Sequence, residues 1–268
     1  MIRAAVLGSP ISHSLSPALH GAAYEFLGIE GEYTAVEVKA DELQKFLFSC
    51  DNSWTGFSLT MPLKEEVLSL ADEVDDLARR IQSANTLVRA KSGWRALTTD
   101  VQGFQDALHA HEVSDFHTVL IIGSGATARA AASACDEKDR VIKVLHRSPL
   151  RQSAMSKAAP NSSIEFLSWE TPLPAVDLMI NTTPSGVADH FVSQIKSRPS
   201  GVYFEALYNP WPTKLLAHWR SVEGEAIDGL DLLVYQAIEQ VALMTQKAVD
   251  PMVLAPILRD TGLKALLR

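Results

Sequence analysis

Short apolar runs alternate with helix-patterned segments along most of this chain, and no other feature restricts its fold as strongly. The pattern predicts strands over 2–8, 32–38, 55–60, 84–89, 117–122, 141–146, 176–180 and 202–206. It predicts helices over 16–27, 40–49, 62–70, 101–111, 126–136 and 212–220. Strands separated by helices pair side by side in parallel, so the expectation is an α/β architecture with parallel sheets. The tail from Leu230 to Arg268 carries no strand pattern. It reads as two helices split at Asp250-Pro251, an N-cap followed by the residue suited to the first helical position. A new strand and glycine-rich turn open at HTVLIIG, which sets a boundary near 101–116. The C-terminal helices are free to pack back on the first domain.

A chain of 268 residues is long enough for one or two well-buried domains. The net charge of -8 argues against nucleic acid as a partner, because a nucleic-acid footprint is basic and clustered. Cys50 and Cys135 have neither disulfide nor metal-ligand spacing, and the histidines are scattered, so no metal site is expected. A reducing, cytoplasmic setting is the simplest expectation, with no signal peptide and no membrane span.

The strongest local motif is TVLIIGSGATARAAASA, residues 118–134. An apolar strand enters Gly123-Ser124-Gly125 and an alanine-rich helix follows, giving G-x-G-x-x-A with Ala128 in third place. The first glycine makes the turn and the second lets backbone approach a pyrophosphate. The helix N-terminus then offers its free N–H groups, through Ala126 and Thr127, to the anion. Glycines that merely tighten a βα turn are the plain alternative. About 20 residues on, a site for NAD carries an acid for the ribose hydroxyl. Here the next strand ends in His146-Arg147-Ser148, with Arg151 close behind and no acid. A guanidinium fork there suits a 2′-phosphate and favours NADP. Asn181-Thr182-Thr183-Pro184 ends a later strand, and is either a wall of the same site or an ordinary turn.

Polar groups also cluster at strand ends in the first half. GSPISHSLSP follows the first strand, and its Ser16-Pro17 reads as a helix N-cap. FSLTMPLK holds Thr60 and Lys64, SANTLV holds Asn85, and WRALTTD ends in Thr99 and Asp100. Reducing a ketone with a nicotinamide requires an acid for the forming alkoxide and a group to orient that acid. Lys64 and Asp100 suit those roles. From residue chemistry alone they also read as a solvated lysine opening a helix and a cap for 101–111.

Taken in order, these motifs resemble those of the shikimate dehydrogenases over nearly the whole length. The resemblance implies an N-terminal α/β substrate domain, 1–101 plus 230–268. It implies a Rossmann-like NADP-binding domain, 102–229, with the site in a cleft between the two. It implies catalysis by Lys64 and Asp100, and a polyol held by Ser14, Ser16, Thr60, Asn85, Tyr208 (in EALYNPWPTKLL) and Gln236 (in GLDLLVYQA). The implied cofactor residues are Gly123, Ser124, Gly125, Ala126, Thr127, His146, Arg147, Ser148, Ala206 and Gly229. The implied reaction is reversible, NADP-dependent reduction of 3-dehydroshikimate to shikimate, by a monomer or homodimer. Two other readings are a quinate/shikimate dehydrogenase using NAD, and a cofactor-binding paralogue without turnover. Ser58 and Thr98 stand where the family has asparagine, Leu232 where it has methionine, Glu205 where it has aspartate and Gln246 where it has glycine. The shorter side chains at 58 and 98 are expected to loosen the packing behind the catalytic pair.

Overall fold

The computed structural model describes residues 1–267. In chain order it contains β1 (Ile2–Gly8), α1 (Ser16–Phe26), β2 (Gly31–Glu37), α2 (Leu43–Ser49), β3 (Gly56–Leu59), α3 (Leu63–Glu66), β4 (Glu73–Val74), α4 (Asp76–Ile81), β5 (Thr86–Arg89), β6 (Trp94–Leu97) and α5 (Asp100–Ala110). There follow β7 (Thr118–Ile122), α6 (Ala126–Ala134), β8 (Val141–His146), α7 (Gln152–Ala158), β9 (Ser163–Ser168), β10 (Leu178–Asn181), β11 (Val202–Glu205), α8 (Lys214–Ser221), β12 (Ala226–Ile227), α9 (Gly229–Thr245) and α10 (Pro251–Leu266). The chain divides into two compact units, one of Met1–Gly103 with the chain from Leu233 onward, the other Phe104–Leu232.

The first unit holds a six-stranded sheet in the order β2-β1-β3-β5-β6-β4. Its core includes Leu7, Phe57, Leu59, Leu87 and Trp94. The expectation of parallel sheets needs correction here. β1 runs parallel to β2 and β3, but β3–β5 and β5–β6 are antiparallel. For β5–β6 the cause is local: the two are joined by the tight Ala90–Gly93 turn, closed by Ala90 N–H to Gly93 C=O, and a hairpin reverses the chain. β5 is set antiparallel to β3 across the long connection through α3, β4 and α4. The short β4, β6 and α4 did not stand out in the sequence. α1 and α10 pack together in this unit.

The second unit holds a fully parallel sheet, β12-β11-β10-β7-β8-β9. Numbered from β7, that is the 3-2-1-4-5-6 order of a doubly wound dinucleotide fold, and its switch point lies between β7 and β10. Both faces are covered, so β7 and β10 read as continuous apolar runs.

α9 ends at Thr245, and Gln246 follows at φ 55°, in the left-handed region. The family's glycine suits that conformation and a side chain does not. Gln246→Gly is expected to stabilise the first unit by up to about 1 kcal/mol. The check is the urea midpoint; a lower midpoint for the variant refutes it.

Candidate active site

Sheet direction assembles the first cluster. β1 and β3 are parallel and end together, Leu7 opposite Leu59. β5 is antiparallel to β3, so it starts at that same edge, with Ser58 opposite Thr86. β6 reverses again and ends there, Leu97 opposite Thr86. One sheet edge therefore gathers the loops after β1 and β3, Asn85 before β5, and Thr99-Asp100 after β6. α3 is held beside them by a bond from Ala84 N–H to the Lys64 carbonyl at 2.9 Å.

Lys64 Nζ donates to Asp100 Oδ2 at 2.6 Å, with only 16% and 7% of the two side chains exposed. A charge-assisted bond in this setting is shorter and stronger than a neutral one. Asp100 Oδ1 accepts from Asn85 Nδ2 at 2.8 Å, and the same amide reaches Thr99 Oγ1 at 2.9 Å and Gln236 Oε1 at 3.2 Å. Asn85 Oδ1 accepts the Thr99 N–H at 2.8 Å. The structure thus brings Lys64, Asn85, Thr99, Asp100 and Gln236 into one network, with the carboxylate held from two sides. The lysine ammonium is thereby held in place by a buried carboxylate.

Thr60 closes the end of β3, its N–H bonded to Leu7 C=O at 2.9 Å. Ser9 N–H bonds to Met61 C=O at 3.1 Å, so the loops after β1 and β3 lie side by side. Ser16 is not the N-cap that the sequence suggested. It is the first residue of α1, Leu15 occupies the cap, and Ser14 Oγ accepts the Ser16 N–H at 3.3 Å. Ser14 therefore supplies the acceptor that a capping hydroxyl would, while His13 is exposed.

Ser58 is not loose. Its hydroxyl accepts from Tyr33 OH at 2.6 Å and donates to Gln240 Oε1 at 2.7 Å. The expected slackness is absent there, because Gln240 from α9 occupies the space behind the serine. Thr98 differs: its Oγ1 is buried without a hydrogen-bond partner among the described residues.

In the second unit Gly123 sits at φ +112°, and a Cβ on it would come within 2.6 Å of Thr182 Oγ1. That conformation and that contact both require glycine. Gly125 caps α6 with no side-chain bond, so the first N–H groups of the helix face outward from the switch point. This cradle fits a pyrophosphate. Asn181 is no wall of it. It is 3% exposed, donates to Glu205 and accepts from Thr183 Oγ1 at 2.8 Å. Thr182 Oγ1 and the Thr183 methyl are the parts of that turn which lie against the loop.

At the end of β8 His146 is buried, its Nε2 3.1 Å from Gln152 Nε2 and its ring edge-on to Phe166. Arg147 and Ser148 are exposed beyond it. The Arg147 guanidinium lies 5.8 Å from the Trp169 ring, an arrangement that restricts its side chain. Arg151, weighed only in passing in the sequence, reaches within 3.6 Å of the Cβ position of Gly125, which puts a second cation over the loop.

Glu205 is fully buried and accepts from Asn181, Tyr203 OH, Thr213 Oγ1 and the Leu207 N–H. Burial pushes its carboxyl above the usual range, and the bonds from Tyr203, Thr213 and Asn181 oppose that shift. It holds both ends of the 206–213 loop, which carries Ala206 and Tyr208. Gly229, at the start of α9, allows the close approach of that loop, since its Cβ would meet Leu207 C=O at 2.2 Å.

Gln240 and Tyr33 escaped the sequence reading. Gln240 had one available signal, its place one helical turn after Gln236 on the same face. Among the described residues no group of three or more His, Cys, Asp or Glu is placed to hold a metal ion.

A lysine held by a buried carboxylate on one sheet edge, and a glycine turn opening a helix at the switch point of a second sheet, are features of the nicotinamide-dependent class of α/β dehydrogenases. Comparison with known proteins narrows the class. Residues 6–87 match the shikimate dehydrogenase substrate binding domain. The NADP(+) shikimate dehydrogenase of Thermosynechococcus vestitus is 33% identical over 86% of this chain and 85% of its own. The crystal structure of Mycobacterium tuberculosis shikimate dehydrogenase superposes with TM-score 0.85 at 33% identity, over 100% of this chain and 99% of that one. The Thermus thermophilus enzyme, solved with NADP(H) and shikimate, gives TM-score 0.84 at 29% identity over 99% and 100%. The chain belongs to the shikimate dehydrogenase family.

Proposed function

We propose that this protein is an NADP-dependent oxidoreductase that interconverts 3-dehydroshikimate and shikimate in aromatic amino acid biosynthesis. The observation that carries the reading is the 2.6 Å Lys64–Asp100 pair, held by Asn85 at the sheet edge. Bound NADPH supplies the hydride. Lys64 protonates the oxygen at the reduced carbon, and Asp100 aligns Lys64 and accepts a ring hydroxyl. Ser14, Ser16, Thr60, Asn85, Gln236 and Tyr208 bind the substrate's oxygens. Gly123 to Thr127 take the pyrophosphate through the α6 N-terminus, and Arg147 with Ser148 and His146 takes the adenosine side. Ala206 and Gly229 serve the nicotinamide end. The 1–101 plus 230–268 segments form the substrate domain, and 102–229 the NADP domain. We assign the protein to the cytoplasm, as a monomer or homodimer acting on a small molecule. Among the described residues no helix is long and apolar enough to cross a membrane.

The test is absorbance at the nicotinamide band with shikimate or quinate, each with NADP or NAD. Turnover confined largely to shikimate with NADP is expected. Preference for quinate or NAD selects the quinate/shikimate reading. Cofactor binding with no turnover in any combination selects the non-catalytic one.

Arg147→Ala is expected to weaken NADPH by about 10–100-fold in Kd and NADH far less, the scale of a lost charged hydrogen bond. Fluorescence titration with both nucleotides checks it. Equal losses would mean that Arg147 does not read the phosphate.

A further inference from the structure

Behind Asp100 runs a file of buried polar groups, of which the chemistry above uses only Asn85. Tyr33 OH donates to Ser58 Oγ at 2.6 Å, and Ser58 Oγ donates to Gln240 Oε1 at 2.7 Å. Gln240 Nε2 donates to Thr86 Oγ1 at 3.0 Å and to the Asn85 carbonyl at 3.2 Å. Thr86 Oγ1 donates to Asn85 Oδ1 at 2.9 Å, and Asn85 Nδ2 donates to Asp100 Oδ1 at 2.8 Å. Ser58 is 4% exposed, Thr86 0%, Asn85 2% and Gln240 1%. His20 Nε2 lies 3.4 Å from Gln240 Oε1, with its ring stacked on Tyr33.

The order of donors matters more than their number. A hydroxyl has one proton. Ser58 receives from Tyr33 and must direct its own proton to Gln240 Oε1. That contact and the Asn85 carbonyl, which can only accept from Nε2, together fix which way the Gln240 amide faces. Thr86 in turn receives from Gln240 Nε2, so its proton is left for Asn85 Oδ1. With the Thr99 N–H donating to the same oxygen, Asn85 has its N–H₂ side, not its carbonyl, turned to Asp100. A flipped Asn85 would set an oxygen against Asp100 Oδ1 and leave both without a donor. An apolar side chain at 240 would fill the core without this order.

We propose that Gln240 is a positioning residue for catalysis. It transmits a single hydrogen-bond direction from Tyr33 and Ser58 to Asn85, and so holds Asp100 and Lys64 in their reactive arrangement. In this chain it stands behind Ser58, the position where the family carries an asparagine amide. The inference rests on the reading of Lys64 and Asp100 as the catalytic pair.

The experiment is single-turnover oxidation of NADPH by 3-dehydroshikimate, with steady-state kcat and KM, for Gln240→Met, Lys64→Ala and the unaltered protein. Methionine keeps the length and removes every donor. The expected result for Gln240→Met is a rate constant roughly 10–100-fold lower with full amplitude, and KM within about twofold, as for a misplaced group that does not touch substrate. An unchanged rate constant overturns the proposal. So does a reduced amplitude at an unchanged rate constant, because that reports fewer folded molecules and no positioning. If Gln240→Met does not fold, Ser58→Ala carries the same expectation, since it removes the donor to Gln240 Oε1 and cuts the file from Tyr33. Lys64→Ala separates the two claims. A normal rate there sinks the catalytic-pair reading itself, and a normal Gln240→Met beside an impaired Lys64→Ala sinks only the relay.

Discussion

Lys64→Ala is expected to lower kcat by roughly 10²–10⁴-fold while substrate still binds, the range of a lost general acid. Alanine leaves the Asp100 carboxylate with Asn85 as its remaining donor at 2.8 Å, and leaves no proton at the point where the alkoxide forms. The loss therefore appears in kcat rather than KM. Steady-state rates across a range of shikimate and NADP concentrations check it. A kcat equal to that of the unaltered protein removes Lys64 from the mechanism.

Acid is expected to destabilise the first unit, and His20 is the largest single cause that the structure identifies. Its ring is fully buried and stacked on Tyr33 with centroids 3.8 Å apart. Burial lowers its pKa to about 3 from an ordinary 6.5, with the Gln240 hydrogen bond opposing that shift. The unfolded chain takes up a proton near 6.5 and the folded chain only near 3. The stability from a neutral His20 is thus fully present above 6.5 and is lost as pH falls toward 3. A shift of this size corresponds to about 4–5 kcal/mol over the full window. Urea midpoints of the unaltered protein and of His20→Phe, compared at neutral pH and at about pH 4, measure it. The variant is expected to show the shallower decline. Parallel declines would mean that other groups govern acid stability.

The second unit was legible almost entirely from residues close together in the chain. TVLIIGSGATARAAASA contains its own strand, turn and helix, because a positive-φ glycine and a glycine helix start are local requirements. Local pattern also located every strand of seven residues and each long helix. What it missed in the second unit were the short helix α7 and two strands. β12 is two residues long and exists because Tyr203 and Phe204 of β11 offer it partners. β9 alternates exposed and half-buried residues at the sheet edge, so it lacks the apolar run of a central strand.

The first unit divides differently. The identities of Lys64, Asn85, Asp100 and Gln236, the glycine-rich loop and the arginine after β8 are all written in local sequence. The glycine-rich loop and the arginine were enough to indicate a nucleotide-dependent enzyme, whereas Lys64 and Asp100 stood out as candidate reacting groups only through the order in which the motifs resemble the family's. Only the tertiary structure decided how those groups meet. β5 lies antiparallel to β3 and the β5–β6 hairpin reverses the chain once more, and those two reversals put Asn85 and Asp100 on the edge where Lys64 stands. It also decided that Ser58 is supported, by Gln240, a residue 182 positions away. Turns and helix starts depend on the dihedrals of neighbouring residues, which the sequence states directly. A hydrogen bond across such a separation depends on how whole elements pack, and no short segment carries that.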